Sequence, residues 1–125
     1  MLLAEIAGAS RDVAATRARL AKVERLAACL RALAPDEVPI AVAWLAGELP
    51  QGRVGAGWAA LRDTAGMTPA ESATLTVSEV DAALGALVGV RGAGAGAERA
   101  RRIGALFARA TAEEQGFLRR LLLGE

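Results

Sequence analysis

Shifted by 77 positions, the chain matches itself without a gap: RLAACLRALAPDEVPIAVAWLAGE, from Arg25, lies on RIGALFARATAEEQGFLRRLLLGE, from Arg102. Arg25 meets Arg102, Ala28 meets Ala105, Glu37 meets Glu114, Leu45 meets Leu122, and Gly47 with Glu48 meets Gly124 with Glu125. Most other pairs keep apolar character, as in Leu26 with Ile103 and Ile40 with Phe117, and upstream Lys22 falls on Arg99. Two long copies are too few for a solenoid. They predict two packed halves related by a pseudo-twofold: unit one over about 1–60, a connector over about 63–76 and unit two over about 77–125. The second unit lacks a counterpart of LPQGRVGAGW, so the expectation is a domain fragment truncated at its C-terminus within the second copy.

Apolar residues recur at helical spacing almost throughout, with no run of period two, which makes the fold class all-α. A first helix is expected over about Leu2–Ala15, with Thr16 as the cap of a second that reaches Leu33. Its inner face would carry Leu20, Val23, Leu26, Ala27 and Leu30. Pro35 suits the first turn of a third helix that closes at Gly47. A short helix is expected around Trp58, Ala59 and Leu61. TVSE at 76–79 and TAEE at 111–114 both fit the reciprocal capping box, marking helices near 77–90 and 112–123. A glycine-rich loop, RGAGAGAER, opens another helix between them.

With over half of its 125 residues apolar, the chain can bury a core. Arg and Lys number 15 against 14 Asp and Glu, so overall charge does not argue for a nucleic-acid partner. The cations are nearly all Arg and there is no His or Tyr, a bias of GC-rich bacterial genomes. Cys29 is alone, sits on an apolar stripe and reads as a buried thiol of a reducing cytoplasm. The N-terminus lacks the pattern of a signal peptide, and VPIAVAWLAG is too short for a membrane span. A soluble, cytoplasmic protein is expected, with no membrane partner.

Catalysis is disfavoured on composition. Without His, with one apolar Cys and with no Cys/His cluster, neither a nucleophile–base pair nor a metal site can be assembled. The only lysine, in AKVER, is not in a phosphate-loop motif. Glu113 and Glu114 read as first-turn charges that complement a helix dipole. Binding is better supported, because free amides at a helix start favour anions and glycine lets a phosphate approach the backbone. Three segments combine such a break with cations: TRARLAK at 16–22, PQGRVGAG at 50–57 and RGAGAGAER at 91–99. The first and third occupy equivalent repeat positions, and a duplicated phosphate grip would suit the two strands of a duplex without reading bases.

At ATRARLAKVERLAACLRALAPDE, VAWLAGELPQGRVGAGWAAL and RRLLLGE, the chain resembles the N-terminal DNA-binding domain of ATP-dependent DNA ligases, especially the actinobacterial type. The likeness covers the whole chain. It implies an all-α pair of helical halves that holds nicked double-stranded DNA across the minor groove, mostly through phosphates. Carried over residue by residue, Arg19 and Lys22 match the basic pair of the first helix start. Gly52, Gly55 and Gly57 match the turn after Gly-Glu, and Gly94, Gly96 and Arg99 match the second loop and its cation. The family's nucleotidyltransferase signature, Lys-x-Asp-Gly, is not in this sequence. The likeness thus implies that catalysis, with its ATP and Mg2+, belongs to catalytic domains C-terminal in a nucleoid-associated parent enzyme, acting in replication, repair or recombination. No cofactor is expected in this segment.

An α-helical protein–protein interaction module is the alternative, signalled by an exposed apolar groove. A helix-turn-helix regulator is disfavoured because no helix carries the Asn, Gln and Arg mix that reads base edges. If the second copy lacks its cover, apolar surface is expected to lie open on the second half, near Leu121–Leu123.

Overall fold

A computed structural model describes residues 1–55 and 58–124. Among these, seven α-helices follow in order: α1 (Leu3–Ala15), α2 (Arg19–Arg31), α3 (Val38–Leu45), α4 (Trp58–Leu61), α5 (Val77–Val88), α6 (Ala95–Ala108) and α7 (Ala112–Leu123). A 3-10 turn, Arg62–Thr64, prolongs α4. The described residues form no sheet, so the all-α expectation holds. The single strand-like pairing is an antiparallel bridge between Leu2 and Thr76. There Leu3 N–H donates to the Leu75 carbonyl (2.8 Å) and Val77 N–H to the Met1 carbonyl (2.9 Å). Leu2 and Thr76 are the N-caps of α1 and α5, so the bridge joins two helix starts head to head.

Positions 77 apart carry like local structure. α2 and α6 begin within one residue of equivalence, and Gly47 and Gly124 close α3 and α7 at φ 81° and 76°, a backbone region that glycine reaches at little cost. Ala41 and Leu118, Trp44 and Leu121, and Cys29 and Leu106 are buried at matching places. A likeness not visible in the ungapped match extends further back. α1 and α5 start 74 residues apart, and the missing three positions are taken up by the connections, 16–18 in one copy and 89–94 in the other. A groove of about 300 Å³ between α1 and α2 is lined by Met1, Glu5, Arg25 and Cys29. Another of about 370 Å³ between α5 and α6 is lined by their counterparts Leu75, Glu79, Arg102 and Leu106.

Both expected capping boxes form. Glu79 N–H donates to Thr76 Oγ1 (3.1 Å) and Glu114 N–H to Thr111 Oγ1 (3.3 Å), while each glutamate accepts from its threonine's backbone N–H. Such a cap contributes about 1 kcal/mol. In the first copy Ala34 replaces Thr111, and only half of the box survives: Glu37 Oε1 accepts from Ala34 N–H at 2.9 Å. Without the hydroxyl, Pro35–Glu37 form a turn and α3 starts at Val38, three residues later than the sequence predicts.

Two expectations for α2 require correction. Thr16 does not cap it. The N-cap is Ala18, and the Thr16 hydroxyl accepts from Ala18 N–H (3.2 Å) in a local turn before the helix. Leu20 and Val23 are not on the inner face either, being 77% and 55% exposed. α2 packs on α1 through the side that carries Cys29, and at about 3.6 residues per turn a nine-residue separation puts Leu20 on the opposite side.

The connector is partly ordered by the second half. Ala70 N–H donates to the Ala110 carbonyl (2.9 Å), and Leu75 is buried. α4 and its 3-10 turn lie on α6, with Leu61 and Thr64 buried. Thr64 Oγ1 accepts from Arg119 Nη2 (3.3 Å), whose guanidinium stands 5.5 Å over the Phe107 ring. The cover that follows the first copy crosses over to the second, and Ile103, Phe107 and Leu118 are enclosed. The end of α7 is different: as expected, apolar surface stays open there, in a groove of about 890 Å³ lined by Leu121–Leu123, Leu49 and the exposed Trp58.

Candidate nucleic-acid interface

The Gly-Glu turn after α3 leads into an irregular segment held at three points. Gln51 Nε2 donates to Asp81 Oδ1 of α5 (2.7 Å), Val54 is buried in the core, and Gly55 lies against Arg99 of α6. Gly55 has φ +75°, and a Cβ added there would stand 2.8 Å from Arg99 Nε, so both backbone and space demand glycine. Arg99 also donates from Nη2 to the Val90 carbonyl (2.6 Å) in the loop that opens α6. Its Nε is buried with no hydrogen-bond partner among the described residues. One guanidinium thus buckles the two glycine-rich loops, 48–55 and 89–94, side by side.

Around that buckle the backbone is accessible. Gly52 and Gly94 are exposed at positive φ, Gly94 is the N-cap of α6, and a Cβ at Gly52, Gly94 or Gly96 would meet open space. Gly96 has ordinary helical geometry, so the fold itself does not require glycine there. Gly57 lies outside the described residues. Arg53 and Arg91, one in each loop, are exposed and make no ion pair among the described residues. Both belong to the glycine segments that the sequence singles out, although neither is among the residues that the family resemblance implies.

The structure brings together two of the three predicted segments. The third, at the start of α2, presents Arg17 and Arg19 to solvent with Lys22 half-buried behind them. No hydrogen bond or ion pair among the described residues connects these cations to the glycine loops. Lys22 and Arg99 occupy matching places in the second turns of α2 and α6, but Arg99 is turned inward by the longer loop.

Several other arginines have their charge satisfied locally. Glu98 takes hydrogen bonds from Arg101 and Arg102, and these hold its carboxyl down at about 2. Arg11 and Arg25 bond to Asp12, and Arg109 pairs with Glu79. Among the described residues, the cations that make no ion pair include those of the two loops and of the start of α2, besides the exposed Arg31, Arg62 and Arg120. Among the described residues no group of acidic, Cys or His side chains could hold a metal ion, and no helix is long and apolar enough to cross a membrane.

Among the described residues, exposed arginines without an ion pair stand in the two adjoining glycine-rich loops and at the start of α2, an arrangement suited to a polyanion. The family model described as DNA ligase N terminus matches residues 51–125, and the chain belongs to that family. A probable DNA ligase of Anaeromyxobacter dehalogenans strain 2CP-1 is 55% identical over 127 residues, covering 100% of this chain and 25% of the relative. Probable DNA ligases of Streptomyces griseus and Mycolicibacterium gilvum are 51% and 50% identical over the whole chain, each matched over 24% of its length. The chain thus spans about a quarter of the relatives it matches. No solved structure matches it.

Proposed function

We propose that this segment is the non-catalytic grip of an ATP-dependent DNA ligase, holding nicked duplex DNA by its phosphates while domains C-terminal to it in the parent chain seal the break. The observation that carries this reading is the Arg99 buckle, which sets Gly52, Gly55 and Gly94 beside the exposed Arg53 and Arg91. The Gly52 N–H is taken by the Leu49 carbonyl (2.9 Å), so the exposed backbone of Gly55 and Gly94 with nearby guanidinium groups is what favours phosphate, and such contacts carry no base information. Arg19 and Lys22 provide a second cationic patch, and a pseudo-twofold between the two units would let each patch take one strand. ATP and Mg2+ act in the catalytic domains, and sealing serves replication, repair or recombination in the bacterial cytoplasm at the nucleoid.

Titration of labelled nicked and unrelated intact duplexes at several salt concentrations tests the reading. Arg53→Ala, Arg91→Ala, Arg19→Ala and Lys22→Ala should each weaken binding equally for all sequences. Each lost phosphate contact should shallow the slope of log K against log salt by about 0.9. Affinity and slope unchanged in all four variants would remove the proposal.

A further inference from the structure

The two copies differ in what covers their outer faces. In the second, Ile103 and Phe107 of α6 are buried and Arg119 of α7 is engaged, because α4 and the 3-10 turn lie across α6. The positions 77 earlier are Leu26, Leu30 and Val42. Leu26 and Leu30 are only half-buried, Val42 is 48% exposed, and Leu20 and Val23 lie open on the same helix. Half of the large exposed hydrophobic side chains, three of six, are thus on α2 and α3.

We propose that this face is the seat of a short helical segment supplied by the sequence that follows the matched region in full-length members of the family, the counterpart of α4 and its 3-10 turn. Gly124 closes α7 in the left-handed conformation with which Gly47 closes α3, so a chain continuing from it leaves in the same local geometry. After Gly47 the chain needs ten residues to reach Trp58 and four more to bring Leu61 onto the opposite unit. The matched relatives have about three quarters of their length outside the matched region, enough to repeat that path. The occupant's chemistry follows from the covered copy: one buried aliphatic residue in the place of Leu61, then a small hydroxyl residue in the place of Thr64. The inference rests on the duplication and not on DNA binding.

The test compares this chain with a chimera that carries the next forty or so residues of the Anaeromyxobacter dehalogenans relative. Amide exchange in α2 should slow at least about tenfold on extension, as expected when an exposed helix face becomes covered. L20S with V23S should lower the melting temperature of the chimera by about 5 °C or more while leaving that of this chain almost unmoved. Should the chimera fail to fold, the same segment as a synthetic peptide is titrated against this chain and against its L20S/V23S variant, and only the first should bind. Equal exchange in both chains, or a peptide that binds neither or both alike, overturns the proposal. So does α2 protection that grows with the concentration of this chain alone, which would make a second copy the occupant, or that needs duplex DNA.

Discussion

Glu37 and Glu114 stand 77 residues apart, do the same backbone task and live in different surroundings. Each accepts from the residue three before it, at 2.9 and 2.8 Å. Glu37 gives its other oxygen to the Met1 ammonium at 2.7 Å. Glu114 is fully buried, and its other oxygen has no hydrogen-bond partner among the described residues. The two positions thus share the helix-start device, while the packing around each is different. The same holds for the outer faces, where α6 is roofed by α4 and α2 is not.

That asymmetry can be broken by mutation. The largest expected effect is at the roofed face, where Phe107→Ala should cost about 3–5 kcal/mol, as for other buried aromatic truncations. Leu30→Ala, its half-buried counterpart, should cost roughly half as much. Urea denaturation of both variants measures the difference, and equal losses would mean that the roof adds nothing to the second copy.

The buckle provides the next test. Gly55→Ala must adopt a left-handed backbone, at about 1–2 kcal/mol, and also displace Arg99. Gly52→Ala meets the same backbone cost with open space around it, and should be the milder of the two. Gly55→Ala should also weaken duplex binding more than Gly52→Ala, if the loops act only when buckled.

Capping sharpens the comparison further. Thr111→Ala should lose about 1 kcal/mol, turning the second copy's helix start into the first's. Ala34→Thr should gain several tenths of a kcal/mol by completing the box that Glu37 already half makes. Thermal melts of the pair measure both signs.

The smallest effect is electrostatic. Glu98 is held at about 2 by hydrogen bonds from Arg101 and Arg102, below its ordinary 4.5. The unfolded chain binds that proton first, so the stability from this cluster is complete above about pH 4.5 and is lost as pH falls toward 2. In acid titrations, Glu98→Gln should flatten that part of the stability profile slightly. Glu37, lowered by the Met1 ammonium and then by Ala34 N–H, adds a loss of the same sign in the other copy.

Local signals carried much of this fold. The all-α class, the two capping boxes, the glycine closures and the buried Cys29 each follow from chemistry within a turn or two of the chain. The 77-residue match identified α2 with α6 and α3 with α7, since neighbours in sequence fix helix starts and stops. Which face of a helix is covered depends on residues far away, and there the sequence misled. Leu20 and Val23 have the spacing of a core stripe, yet the covering segment lies on α6. Arg99 has the sequence position of Lys22, but the longer loop before α6 brings Val90 within its reach and Gly55 against its guanidinium. Apolar periodicity says that a face can be buried, and only the path of the chain through space decides what buries it.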